Sequence, residues 1–370
     1  MQFGGAERGN ISQAVSLSQL GVEVVTASPS TELAASLEAH GARHLLIELP
    51  SLAAVKLGQR QIAELVSSER PDIVHLQLLR GAIEGGLSRL RFRWRQPTVI
   101  SLHNSLADIE ENLSSLPGRL RLRTIGLCER AIGFCNSSQY VAVSDYESKR
   151  MKGLSYARSP KHTIVNDAVS SPFPSPASQL EQVELRAQFD LPSDQFIVGF
   201  FGRHEYQKGA DLVSEASGLL SAEGCLVVTT SSGSMDLSSS TRNLPHQESL
   251  AAIIRACDVV LVPSRYEAFG RIAAEALLEG VPTIHSGVGG LSEVTAGISS
   301  KFSVLSGLTR ESLLNSIVQH KKSVALSPIT NIERIRTSEV IGERFSSAAN
   351  SRSWLELYTS VLQNAKQRVY

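Results

Sequence analysis

Cysteine is scarce and scattered: Cys128, Cys135, Cys225 and Cys257 form no C-x-x-C pair. Such spacing builds neither a disulfide framework nor a zinc site, and it fits a reducing, cytoplasmic setting. No run approaches the roughly eighteen apolar residues of a membrane-spanning helix. The start Met1-Gln2-Phe3-Gly4-Gly5-Ala6-Glu7-Arg8 has no basic stretch leading into an apolar core, so the sequence reads as neither secreted nor membrane-spanning. An excess of one charge is missing as well, because Lys plus Arg and Asp plus Glu each total 36. That balance excludes a chain-wide nucleic-acid surface and makes any electrostatic role local. No Asp-x-Asp pair occurs anywhere. Such a pair is the usual carboxylate means of holding a divalent ion on phosphates, so no metal is expected on them; no other cofactor is expected either.

At 370 residues the chain exceeds what one hydrophobic core usually serves, and 42% apolar with 19% charged residues is ordinary globular composition. A short apolar run, a turn and a longer segment of helical period recur along it, which is how βα units and parallel sheets read. Strands are predicted at Val22–Thr26, His44–Ile47, Ile73–Leu76, Thr98–Leu102, Tyr140–Val143 and His162–Val165, and again at Phe196–Phe201, Cys225–Thr229, Val259–Val262 and Thr283–His285. Helices are predicted at Ser12–Leu20, Gln61–Ser67, Ala210–Leu220, Ser249–Ala256 and Arg271–Glu279. Both halves therefore read as doubly wound α/β domains, split at the proline- and serine-rich stretch Ser170–Pro176. The expected layout is one domain over 1–170, a linker over 171–192, a second domain over 193–345 and a final segment over 346–370. At the front, glycines arrive at Gly4 and Gly5 with no strand before them. A doubly wound domain places a central strand there, so the first strand is expected to be missing and the true start to lie upstream; the alternative is that another strand fills the gap.

Three segments carry candidate chemistry. In Pro263–Leu277, Glu267 falls in the loop after a strand and Glu275 about a turn and a half into the next helix. The N–H groups around Phe269, Gly270 and Arg271 open that helix and suit a phosphate. A phosphate between two carboxylates suggests a nucleotide sugar, with Glu275 accepting from ribose hydroxyls and Glu267 from the sugar; the plain alternative is two surface glutamates. In Gly202–Asp211, Arg203 and Lys208 lie in a short loop and are expected to converge on one anion. In Thr98–Asn104, a β-branched strand delivers His103 at its carboxyl end, where ligands bind in open α/β sheets, although a lone histidine is more often structural. A basic stretch, Arg89 to Arg95, with Arg119, Arg121 and Arg123 later, reads either as a solvated face or as a footing on an anionic membrane or a lipid-linked acceptor.

The order Gly4-Gly5-Ala6-Glu7-Arg8, Ser101-Leu102-His103-Asn104, Val141-Ala142-Val143-Ser144, Gly202-Arg203 with Lys208-Gly209, Pro263 to Gly270 with Glu275-Ala276, and Val288 to Val294 resembles glycosyltransferase family 4, the retaining GT-B enzymes. The resemblance implies two facing Rossmann-like domains, the second holding a UDP- or GDP-linked sugar and the first a carbohydrate or lipid-linked acceptor. It implies diphosphate contacts from Arg203, Lys208, Phe269, Gly270 and Arg271, and a ribose contact from Glu275. It places Glu267 at the transferred sugar, His103 near the reacting sugar, Gly4 and Gly5 in a loop closing over the phosphates, and Trp354 and Tyr358 on a helix that crosses back to the first domain. The implied activity is metal-independent, retaining hexosyl transfer in envelope, exopolysaccharide or glycolipid synthesis, in the cytoplasm or on the inner face of the membrane. A catalytically silent GT-B partner subunit, an epimerase and a phosphorylase are the competing readings. Three stretches depart from the family pattern: Thr229–Ser234 replaces a glycine-rich turn, Asn166-Asp167-Ala168-Val169 replaces a hinge usually reading Asn-Gly-Val, and Asn243–Glu248 lacks a common glycine.

Overall fold

The computed structural model describes residues 5–28, 37–38, 43–47, 55–102, 139–153, 162–230, 238, 240–245 and 249–367. The chain divides into two compact units, Met1–Ala168 with Ser347–Tyr370, and Val169–Ser346.

In the first unit the described elements are α1 (Gly5–Gln19), β1 (Val25–Ser28), β2 (Arg43–Leu46), α2 (Val55–Glu69), β3 (Val74–Gln77), α3 (Leu78–Phe92), β4 (Thr98–Leu102), β5 (Gln139–Ala142), α4 (Asp145–Gly153) and β6 (His162–Ile164). All pairings are parallel, in a two-stranded sheet β1-β2 and a four-stranded sheet β3-β4-β5-β6. Among the described residues no strand joins β1 to β3, the position that a doubly wound order gives to a strand ahead of the first helix.

The second unit runs α5 (Gln179–Gln188), β7 (Phe196–Gly199), α6 (Ala210–Ala222), β8 (Cys225–Thr229), β9 (Thr241–Asn243), α7 (Ala251–Ala256), β10 (Val259–Val262), α8 (Arg271–Leu278), β11 (Thr283–His285), α9 (Leu291–Val294), β12 (Ser303–Leu305), α10 (Arg310–Leu326) and α11 (Asn331–Phe345). Among the described residues its six parallel strands are ordered β12-β11-β10-β7-β8-β9. The chain winds from β7 outward to β9, then returns to β10 and winds to the other edge. The switch point of this doubly wound sheet therefore lies between β7 and β10. Strand β10 is buried at every residue, as a central strand covered on both faces must be. Val198, Phe200, Val227, Val259, Leu261 and Ile284 form one core with the inward faces of α6 and α10.

The expected linker over 171–192 needs correcting. Residues 170–178 are irregular apart from their turns, but α5 follows, opened by a capping box between Ser178 and Glu181. It is fastened to the second unit: Gln182 Nε2 donates to the Cys257 carbonyl (2.8 Å), Arg186 Nε donates to the Ala256 carbonyl (3.0 Å), and Arg186 pairs with Asp258 (2.7 Å). Strands β9 and β12 were not expected from the sequence, while β4, β8, β10 and β11 coincide with their predicted ranges.

The last helix, α12 (Ser347–Gln367), belongs to the first unit. Trp354 and Leu357 pack with Leu17, Val99, Val141 and Val165 on one face of the four-stranded sheet; Leu76, Ile100, Tyr140 and Met151 pack on the other. A chain of polar side chains runs through the α12 face. Gln77 Nε2 donates to Gln13 Oε1 (2.8 Å), and Gln13 Nε2 donates to the Tyr358 hydroxyl (3.3 Å). The same hydroxyl is 2.8 Å from His75 Nδ1, and His75 Nε2 is 2.9 Å from the Ser101 hydroxyl. Burial raises the Tyr358 phenol above its ordinary range, so it stays protonated as part of this chain.

The basic stretch divides. Arg93 adopts a left-handed conformation (φ 56°) that ends α3. Arg89 turns inward, donating to the Gln96 carbonyl (3.1 Å) and the Thr98 hydroxyl and lying over the Trp94 ring. Arg91, Arg93 and Arg95 remain exposed, beside exposed Leu90 and Phe92. Arg119, Arg121 and Arg123 lie outside the described residues, as do Cys128 and Cys135. Cys225 and Cys257 are buried thiols without a disulfide. Among the described residues no helix is long and apolar enough to cross a membrane.

Candidate active site

Three loops leave the carboxyl ends of β7, β10 and β11 at the switch point. The first, Phe200–Gly209, closes with a single 3-10 turn over Tyr206–Lys208, and Gly209 begins α6 in a left-handed conformation (φ 75°). A Cβ at this position would lie 2.3 Å from the Pro263 carbonyl oxygen, so only glycine lets the first loop touch the second. The second loop, Pro263–Gly270, ends at another left-handed glycine, where a Cβ would meet the Leu291 side chain at 2.7 Å. Among the described residues no side chain caps α8 at Gly270, so its first N–H groups are open to an outside acceptor.

The loops are stitched together by directional bonds. Arg265 N–H donates to the Gln207 carbonyl (2.8 Å), Ser286 Oγ–H donates to the Ser264 carbonyl (2.6 Å), and Gly290 N–H donates to the Glu267 carbonyl (2.9 Å). The third loop is anchored by His285. Gly287 N–H donates to its Nδ1 (3.1 Å), which leaves Nε2 to carry the proton towards the Ser303 hydroxyl (2.8 Å). Burial holds this imidazole down at about 4, so the anchor is neutral near pH 7.

Within this cradle Lys208 Nζ donates to Glu267 Oε1 at 2.6 Å, and both side chains are mostly buried, 20% and 13% exposed. The Ser264 hydroxyl donates to the same Oε1 (3.1 Å), so Glu267 is oriented from two sides. The diphosphate cation and the sugar carboxylate expected from the sequence are thus one contact. On α8, Arg271 Nε donates to Glu275 Oε1 (2.8 Å), while Arg271 Nη1 is buried with no hydrogen-bond partner among the described residues. An orphaned guanidinium N–H asks for an acceptor that the described residues do not supply.

Other expected residues are placed differently. Arg203 does not share the Lys208 contact; it pairs with Glu205 (2.9 Å) and its side chain is 59% exposed. The Phe269 side chain is core, edge-on to Phe345 at 5.2 Å between ring centroids, so only its backbone faces the loop chemistry. His204, between the two expected cations, is buried with Nε2 3.1 Å from the Thr229 hydroxyl. Gly5 heads α1, whereas Gly4 and His103 lie outside the described residues, His103 directly after β4. Of the departing stretches Thr229–Ser234 and Asn243–Glu248, residues 231–234 and 246–248 also lie outside them. At the altered hinge, Asp167 is not among the residues of positive φ, so the loss of glycine there asks for no left-handed aspartate. Ser264, Arg265 and Ser286 were not expected as site residues. Their signal was only that they flank Glu267 or follow a strand end, which names no partner. Among the described residues no group of three or more His, Cys, Asp or Glu side chains is arranged to hold a metal ion.

Comparison with known proteins bears on both units. The family described as "Glycosyltransferase Family 4" matches residues 3–166, and "Glycosyl transferases group 1" matches residues 181–317. The D-inositol 3-phosphate glycosyltransferase of Mycolicibacterium smegmatis is 30% identical over 248 residues, covering 62% of this chain and 55% of that protein. Its Mycobacterium tuberculosis counterpart is 30% identical over 237 residues, covering 60% and 48%. The matched stretch is thus about half the length of these curated relatives. Among solved structures, Anabaena HepE in complex with UDP-glucose has a TM-score of 0.79 at 17% identity, covering 97% of each chain. Sucrose-phosphate synthase of Thermosynechococcus elongatus has a TM-score of 0.76 at 18% identity, covering 98% of this chain and 94% of that one. These likenesses establish the fold, two Rossmann-like units of the GT-B class. With the switch-point loops and both halves of the sequence pointing the same way, the protein belongs to glycosyltransferase family 4.

Proposed function

We propose that the protein is a retaining, metal-independent hexosyltransferase. It would carry a sugar from a nucleoside diphosphate to an acceptor hydroxyl in the assembly of a cell-envelope polysaccharide, an exopolysaccharide or a glycolipid. The observation that carries this reading is the Lys208–Glu267 contact at the switch point, beside the uncapped start of α8. As the bond to the departing diphosphate breaks, negative charge gathers on its oxygens. Lys208, the Arg271 guanidinium and the N–H groups after Gly270 are fixed where such charge is stabilised without reorganisation, and Arg203 adds a cation at the rim. Arg271 Nη1, buried without a partner among the described residues, is satisfied by a donor oxygen in this reading. Glu267, held by Lys208 and Ser264, accepts hydrogen bonds from the sugar rather than attacking it, and Glu275 accepts from the ribose. His103 beyond β4 and the loop of Gly4 and Gly5 ahead of α1 are assigned the reacting sugar and the phosphates, on family grounds alone.

UDP-glucose is the first donor to try, given the ligand of HepE, and D-inositol 3-phosphate the first acceptor, given the names of the curated relatives. A ligand that binds only the folded state raises its melting temperature. In a panel of UDP, GDP, ADP and UDP-glucose, one nucleotide should raise it selectively, and the rise should vanish in Lys208→Ala and Glu275→Ala. No shift with any of them, from a protein that melts cooperatively, would overturn the reading.

A cytoplasmic site of action at the membrane surface is part of the proposal, supported by exposed Arg91, Arg93 and Arg95 around Leu90 and Phe92. Co-sedimentation with phosphatidylglycerol vesicles should be lost when the three arginines are reversed to glutamate. No sedimentation of either form removes this part of it.

A further inference from the structure

We propose that Arg265 is a positioning residue for the diphosphate cation: it builds the backbone platform from which Lys208 reaches, and does not itself bind the donor. The inference rests on the transferase reading above. Lys208 stands on a 3-10 turn of three residues, Tyr206–Lys208. A single turn has one or two weak internal bonds and is not stable alone. The supports come from Arg265, which meets the turn on both sides of the lysine. Its backbone N–H donates to the Gln207 carbonyl (2.8 Å), and its Nη1 donates to the Tyr206 carbonyl (2.5 Å). Beyond the lysine, Nη1 and Nη2 donate to the two carboxylate oxygens of Asp211, in the first turn of α6, at 2.7 and 2.6 Å. The guanidinium plane also lies over the Tyr206 ring, 3.6 Å from its centroid.

These acceptors take both N–H groups of Nη1 and one of Nη2, and the side chain is 21% exposed, so most of the fork is committed to the protein. The Asp211 carboxylate is in the ionised form this requires. Burial pushes its carboxyl up, but the Arg265 fork and the N–H groups of Asp211 and Leu212 together leave it below the ordinary value. Lysine is a poor substitute, since a point charge can neither bridge both oxygens of Asp211 nor stack on Tyr206. Arg265 is two residues from Glu267, so the same loop that offers the sugar carboxylate sets the height of the phosphate cation.

A double-mutant cycle tests this on the intact protein, reading the dissociation constant of whichever of UDP, GDP or ADP binds the wild type most tightly. If Arg265 acts through Lys208, Arg265→Ala weakens that nucleotide about ten-fold when Lys208 is present and less than about two-fold in a Lys208→Ala background. Arg265→Lys should recover only part of the loss. Asp211→Asn, which keeps the fork but weakens its anchor, should reproduce a fraction of it with the same dependence on Lys208. Equal losses in both backgrounds, or no loss in either, overturn the proposal while leaving the transferase reading intact. A wild type that binds none of the nucleotides overturns both. If Arg265→Ala is not folded at the assay temperature, as judged by its melting curve, the Asp211→Asn cycle decides.

Discussion

Strands β3 and β10 each begin a run of strands that winds to one edge, β3-β4-β5-β6 in the first unit and β10-β11-β12 in the second. Their sequences are Val74-His75-Leu76-Gln77 and Val259-Val260-Leu261-Val262. The first and third residues match, and Leu76 and Leu261 both sit in hydrocarbon cores. The second and fourth do not match: His75 and Gln77 enter a polar chain with Gln13, Tyr358 and Ser101, where the second unit has buried valines. Strand β10 has a neighbour on each edge, whereas β3, among the described residues, pairs only with β4. A strand enclosed on all sides gains most from apolar burial, which is large and non-directional. A hydrogen-bonded chain contributes less per contact, but it fixes which helices cover the face and in what register, here α1 and α12.

Exchanging the residues that differ is the sharpest way to break this comparison. Val260→His places two ring nitrogens at a fully buried, overfilled position and should cost about 4 kcal/mol, read from the midpoint and slope of urea unfolding. Gly209→Ala tests the contact between the loops of the second unit. A left-handed alanine against the Pro263 carbonyl should cost about 3 kcal/mol and abolish the nucleotide-induced melting shift, since the Lys208 turn must move. His75→Val, the reverse exchange in the first unit, removes one partner each from Ser101 and Tyr358 and should cost about 2 kcal/mol. Equal costs for Val260→His and His75→Val would end the distinction between the two faces.

A further effect concerns pH. His285 has a folded value near 4 against the ordinary 6.5, so between these values the unfolded chain takes up a proton that the folded chain does not. Its contribution is fully present above pH 6.5 and is lost as pH falls towards 4. Melting followed from pH 7 down to 4.5 should therefore fall less steeply in His285→Asn than in the wild type.

Much of this was legible beforehand, for physical reasons that differ by element. Buried parallel strands such as β8, β10 and β11 announce themselves as apolar runs between turn residues, because nothing polar is tolerated there. Strands β9 and β12 are three-residue edges whose residues stay partly exposed, and Thr241-Arg242-Asn243 has no apolar signature to find. Helix α5 was hidden by the prolines before it, although the Ser178 and Glu181 capping pair was present as a signal. At the site, Lys208 and Glu267 were each expected, but their direct contact was not. It depends on the close approach at Gly209 and on bonds made by Arg265 and Ser286, and those are set by how two loops meet in space. Arg203 was read as a twin of Lys208 because both are loop cations; it pairs instead with Glu205, two residues on.

The division of the chain has a consequence for biosynthesis. Residues Val169–Ser346 are continuous, so every strand and helix of the second unit is synthesised before α12. The first unit begins earlier and finishes later. Leu17, Val99, Val141 and Val165 wait for Trp354 and Leu357 to cover them, and His75 waits for Tyr358. During translation the usual order, with the amino-terminal domain complete first, is therefore reversed. For the time needed to synthesise the whole second unit, the nascent first unit presents an apolar sheet face with a histidine in its midst, the kind of surface that chaperones hold until its missing helix arrives.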